Sequence, residues 1–194
     1  MTLKWYKVPN KEWPDARFMR DSQRSKVYGA EDALVRAYKD ERLETTDEIY
    51  NWVAKLSSRK WFKKRFPMFN IERFVVKSGR GRRTAYGGHT HIAMPKWSRN
   101  KMIILHELAH CLNVTGHDSR YHVAHGRRYC RIYLSLVKHA MGTDRARELR
   151  QRFKQYKVKY SLGRRLTSAQ REAARQRCLK NQPLLVRESE KSRS

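Results

Sequence analysis

Cysteine is scarce in this 194-residue chain: three residues, with no C-x-x-C pair among them. That excludes a disulfide framework, and the odd count without framework spacing points to a reducing cytoplasm. Long apolar runs are missing too. None approaches the roughly 20 residues that a membrane-spanning helix needs, so no membrane partner is expected. The opening Met1-Thr2-Leu3-Lys4-Trp5-Tyr6-Lys7 has no apolar centre and is not expected to act as a secretory signal. Acidic residues are also few, 18 against 45 lysines and arginines, which leaves a formal net charge of +27. A field of that strength attracts polyanions at low salt, and nucleic acid is the leading candidate partner. No internal repeat is visible.

What is present is concentrated in His106-Glu107-Leu108-Ala109-His110, which spells H-E-x-x-H. Spaced i and i+4 on a helix, the two histidines project from one face and can hold one metal ion, with Glu107 near the same rim as general base. Met102, Ile103, Ile104, Leu105, Leu108 and Leu112 give this helix a broad apolar face, and Ser98 is the expected N-cap. The histidines are therefore expected to be buried, where a metal offsets their desolvation. A catalytic zinc takes three protein ligands and leaves a fourth position to water. His117, His122 and His125 compete for the third place. The longer pattern H-E-x-x-H-x-x-G-x-x-H is not met, since Asn113 stands at its glycine and Gly116 at its last histidine. His125 opens His125-Gly126-Arg127-Arg128-Tyr129, ahead of an apolar-periodic helix through Ile132, Leu134, Leu136 and Val137.

With H-E-x-x-H followed by H-G-x-x-Y, the chain resembles the SprT-like (Spartan-type) zinc metallopeptidases over roughly residues 70 to 140. Gly87-Gly88-His89-Thr90-His91-Ile92-Ala93-Met94-Pro95 is similar to that family's strand leading into the active helix. More narrowly, Arg20-Asp21-Ser22-Gln23-Arg24-Ser25-Lys26-Val27-Tyr28 together with the core resembles a group of metallohydrolases from actinobacteria and their phages with no settled substrate. The resemblance implies His106, His110 and His125 as zinc ligands, Glu107 as the general base, and a protein substrate. The paired C-x-x-C elements that build a zinc ribbon in many larger relatives are missing, so no second zinc site is expected. With no room for their partner domains, the chain would have to find DNA by itself.

The implied fold class is α+β, a zincin-like core with a small antiparallel sheet packed on the H-E-x-x-H helix, plus flanking helices. Residues 1–20 read as an N-terminal extension, 21–142 as the metallohydrolase core, 143–181 as a basic helical region and 182–194 as a disordered tail. Residues 143–194 hold 16 Lys/Arg against 5 Asp/Glu, a net +11, so charge density nearly doubles there. Helices are expected from Ser22 to Leu43, from the Thr45-x-x-Glu48 capping box, from Ser98, from about His122 to Met141 with Gly142 as C-cap, from Thr143, and from Thr167 to Gln170. Strands are expected over Ile71–Lys77, Arg83–Tyr86 and His89–Met94. Arg59-Lys60-Trp61-Phe62-Lys63-Lys64-Arg65-Phe66 interleaves cations with aromatics and could grip phosphates and stack on unpaired bases, although Trp61, Phe62 and Phe66 at helical spacing read better as core anchors; Arg80, Arg82 and Arg83 read as a basic turn suited to a phosphate backbone, and Cys111 and Cys130 as buried thiols. His89 and His91 are candidates for lining a substrate cleft beside an edge strand, Tyr121 and Tyr129 for oxyanion contacts, and His139 for a charge favourable to a helix end.

The function these residues support is that of a cytoplasmic one-zinc hydrolase cutting peptide bonds, with DNA-associated proteins as candidate targets. The alternative is a basic nucleic-acid-binding protein whose zinc is structural, closed by a fourth ligand such as His117, His122 or Cys111.

Overall fold

A computed structural model describes residues 21–114 and 123–161, together with 169, 172, 173 and 176. The chain divides into two compact units, Met1–Ser161 and Leu162–Ser194. In the second, Gln176 Nε2 donates to Glu172 Oε1 at 2.9 Å, one helical turn back; the Thr167–Gln170 box lies outside the described residues.

The first unit runs α1 (Arg24–Ala37), α2 (Thr46–Ser57), α3 (Lys60–Arg65), β1 (Val75–Lys77), β2 (Tyr86–Gly87), β3 (His91–Ala93), α4 (Lys101–Val114), α5 (Arg127–Met141) and α6 (Thr143–Gln155). It is an α+β arrangement in which α4 is the central element, packed against α1, α5, β2 and β3. Ten of its 14 residues are buried, among them Met102, Ile104, Leu105, Leu108 and Leu112. A helix apolar on nearly every side can satisfy itself only in the middle of a core. Each such side chain contributes about 1.5–3 kcal/mol on burial. No helix among the described residues is long and apolar enough to cross a membrane.

Helix starts follow local chemistry. Thr45 Oγ1 accepts from the Glu48 N–H at 3.1 Å, while Glu48 Oε2 accepts from the Glu44 N–H at 2.8 Å, so the reciprocal half of the box lands one residue early. The cap of α4 is Asn100, not the expected Ser98. Asn100 Oδ1 accepts from the Met102 N–H at 2.8 Å, whereas Ser98 closes a 3-10 turn over Lys96–Ser98 and donates its hydroxyl to Pro95 O. Helix α5 begins at Arg127 rather than near His122, with Gly126 as its N-cap. Gly142, at φ +101°, serves as C-cap of α5 and N-cap of α6, a left-handed-side backbone that favours glycine.

The sheet is mixed rather than antiparallel. Its order is β1-β3-β2, with β1 parallel to β3 and β2 antiparallel to it. Residues 78–85, turning through Gly79 at φ +62°, carry the chain past one strand position, a reach of roughly 10 Å. The tight turn at Gly88, whose N–H donates to His91 O at 2.8 Å, then folds β3 back into the gap. The strands are shorter than expected, because residues Ile71–Arg73 form a 3-10 turn capped by Asn70.

The charged helix expected from Thr143 shares the core of the unit: Ala146, Leu149 and Phe153 are buried, and α6 packs on α5 and α1. Phe62 is a core side chain as expected, with Trp61 and Phe66 packed against it.

Candidate metal centre

Three elements converge on one buried point. Helix α4 supplies His106 and His110, one turn apart. The turn before α5 supplies His125. Helix α1 and the residues just before it supply the groups that hold them. Among the described residues, His106, His110 and His125 form the group able to hold a metal ion, their donor atoms all within 4.8 Å of one another. His106 Nε2 lies 3.2 Å from His110 Nε2 and 3.3 Å from His125 Nε2.

Two of the rings are fixed from behind. His106 Nδ1 meets Glu31 Oε2 at 2.7 Å, and His125 Nδ1 meets Asp21 Oδ2 at 2.5 Å. A carboxylate on Nδ1 selects the tautomer with its proton there, so each Nε2 presents a lone pair to the centre. Glu31 Oε1 accepts from the Tyr133 hydroxyl at 2.7 Å, so both oxygens of this buried carboxylate are engaged. Gln23 steadies the turn by donating to His125 O at 3.0 Å. Tyr28 stacks on His106, ring centroids 5.2 Å apart and planes within 15°, and lies tilted against His125. Tyr129, fully buried, packs beneath all three rings and donates to His106 O at 3.4 Å. That is a packing role, not an oxyanion one.

Electrostatics match the geometry. Burial would hold His106 neutral, but the charge and hydrogen bond of Glu31 outweigh it and raise its pKa. His110 is pushed well below its ordinary value by burial and by the other two histidines. His125 is lowered chiefly by burial, with Asp21 opposing. Inward ring nitrogens 3.3 Å apart need a cation between them, either a proton shared from His106 or a metal ion. For zinc–nitrogen bonds of about 2.0–2.1 Å, the edge of a tetrahedron is about 3.3 Å; two of the three separations are close to it, and all lie within 4.8 Å. Three imidazole nitrogens converging on one point are a donor set that can hold a metal ion, zinc among them.

Glu107 sits beside this point, 5% exposed, its carboxyl pushed up to about 7 by burial, with the Gly87 backbone N–H as a hydrogen-bond donor opposing. Gly87 is a glycine for a steric reason: a Cβ there would stand 2.3 Å from Glu107 O. Strand β2 thus lies directly on the helix turn that carries Glu107 and His110. Because β3 is the middle strand, His91 does not belong to an edge; the edge beside Glu107 is β2. His89 is exposed and borders a small cavity instead.

Of the remaining candidates, His117, His122 and Tyr121 lie outside the described residues. Cys111 is buried in α4, its thiol directed to His91 O at 3.4 Å and pushed up to about 12 by burial. Cys130, likewise buried, directs its thiol to His125 O and is also pushed up to about 12. Sequence reasoning did not find Asp21, Glu31 or Tyr28. Only Glu31 left a signal: an acid on the Val27–Ala30–Leu34 stripe, where a carboxylate is out of place unless partnered.

Comparison with known proteins gave no match to a family model, to a curated protein or to a solved structure. The SprT-like resemblance accordingly rests on the motif residues.

Proposed function

We propose that this chain is a zinc-dependent metallohydrolase of the SprT-like kind that cleaves peptide bonds. The observation that carries the reading is the convergence of His106, His110 and His125 with two Nδ1 atoms held by carboxylates. Three imidazole donors are the number that a catalytic zinc takes from the protein, its fourth position being left to water. What a bound zinc supplies is Lewis acidity toward a carbonyl oxygen and toward water.

The chain's own groups do the rest. Glu107 takes a proton from the attacking water and delivers it to the leaving amine nitrogen. Its raised pKa makes it a competent proton carrier near neutral pH, and a cation at the triad would draw that value down. The edge of β2 is placed to align an extended peptide beside Glu107. Buried Leu105, Leu108 and Tyr129 keep the surroundings apolar, which strengthens each charge interaction at the centre. DNA-associated proteins are the favoured targets, because a net charge of +27 draws the chain to polyanions.

Glu107→Gln should keep zinc and lose at least about a hundredfold in turnover of an unfolded protein such as casein, since the amide cannot accept a proton. Hydrolysis at the wild-type rate by that variant would remove Glu107 from the mechanism.

A further inference from the structure

A cavity of about 360 Å³ opens between the segment after α3 and the helices α4 and α5, away from the histidines. Three arginines line it, Arg65, Arg128 and Arg131, together with Phe66, Met68 and Phe69. A second cavity of about 110 Å³ is also lined by Met68 and Phe69 and is bordered by Arg73, His89 and Thr90. The two share the Met68–Phe69 wall, and Met68 is 73% exposed. Among the described residues no carboxylate lines either cavity, and no ion pair occupies Arg65 or Arg131.

From this arrangement we infer that the paired cavities are a binding site for single-stranded nucleic acid, the larger taking one nucleotide unit and the smaller only part of its neighbour. The inference rests on the nucleic-acid part of the function proposed above. Guanidinium forks match phosphate oxygens two at a time, and the half-buried Phe66 and Phe69 with exposed Met68 offer apolar faces to a base. The volume lies at the low end of the roughly 300–1,000 Å³ of sites that enclose a small organic molecule. An aspartate or glutamate side chain of an acidic peptide would leave most of it empty. Two cavities sharing one wall suit consecutive units of a chain better than a free nucleotide. A duplex keeps its bases stacked inside and has none to offer the wall.

The site is separate from the candidate metal centre. His110 faces the other two histidines, whereas Leu112, two residues on and so about 200° around the helix, borders the cavity. Binding can therefore be read without turnover.

The test is fluorescence anisotropy of the full chain with a labelled oligothymidylate and with a duplex of equal length, across a salt series. Arg65→Gln/Arg131→Gln should weaken the single strand at least tenfold, lower the salt slope by about 0.7 for each phosphate no longer neutralised, and leave zinc content unchanged. Met68→Ala, at an exposed position that folding does not need, should weaken the single strand several-fold and leave the duplex unchanged. Wild-type affinity and slope in the double variant would overturn the proposal. So would an equal loss in the control Arg150→Gln/Lys154→Gln on α6, or equal losses for single strand and duplex. Displacement of the oligonucleotide by thymidine monophosphate or by oligoglutamate at matched charge would overturn it as well. None of these outcomes bears on hydrolysis, and an inactive metal site would leave them all readable.

Discussion

Glu31 holds two oxygens against two different elements, His106 of α4 and Tyr133 of α5, from a position 75 residues before the histidine it orients. Hydrogen bonds to a ligand's far nitrogen typically change metal affinity 10–100-fold when removed. Glu31→Gln should therefore bind zinc about 10–100-fold more weakly, read by competition with a chromophoric chelator, with the helical circular dichroism unchanged. Affinity equal to wild type would make Glu31 a packing residue only. At this scale, His106, Glu107 and His110 were legible because their spacing is itself the geometry. Asp21 and Glu31 were not, because nothing local ties an acid in or just before α1 to a histidine on another element. His125 was singled out by its H-G-x-x-Y setting, and the structure places its ring 3.3 Å from His106, Nε2 to Nε2.

Among elements, the packing of β2 on α4 is the tightest constraint on the centre. Gly87→Ala would put a methyl group 2.3 Å from Glu107 O and 2.9 Å from His110 Cβ, both within one turn of α4. Strand β2 must then lift away, at a cost of about 1–3 kcal/mol by analogy with overpacking. The expected result is a lower melting temperature and loss of hydrolysis together; an active variant of wild-type stability would show that β2 does not seat Glu107.

His139 stands in the last turn of α5, as expected, and it also packs against α3. Its ring lies on Trp61, centroids 3.9 Å apart, and burial with the nearby Lys138 and Arg59 lowers its pKa, which disfavours the charged form. A depressed folded value means that the unfolded chain binds the proton first, so His139's contribution is present above its unfolded pKa of about 6.5 and is lost as pH falls through the folded pKa. NMR titration should place its midpoint below 6.5, and Trp61→Leu should move it upward; a midpoint at or above 6.5 in the wild type contradicts the stacking. Helices were easier to read from sequence than strands, since α4 and α5 each span about four turns of apolar repeat. The strands, at three residues or fewer, are too short to show alternation. The β1-β3-β2 order could not be read without knowing which chain segments meet, whereas the Asn100 cap is local and was missed because Ser98, two residues earlier, is an equally good cap residue.

For the whole molecule, two properties coexist: a core organised around one helix whose motif residues gather at a single point, and a surface carrying a net +27. Charge was legible from composition; the pairing of two arginine-lined cavities was not, because Arg65, Arg73 and Arg131 come from three separate segments. The α+β class was expected, although the helix from Thr143 joins the core through Phe153. Everything proposed about chemistry depends on whether the three histidines hold a metal. Elemental analysis of protein purified without a metal-binding tag, wild type beside His125→Ala, answers that most directly. One zinc per chain in the wild type, absent or strongly weakened in the variant, is the expected result. Zinc retained in full by His125→Ala, or a wild type that takes up no zinc when supplied with it, would contradict the three-histidine centre.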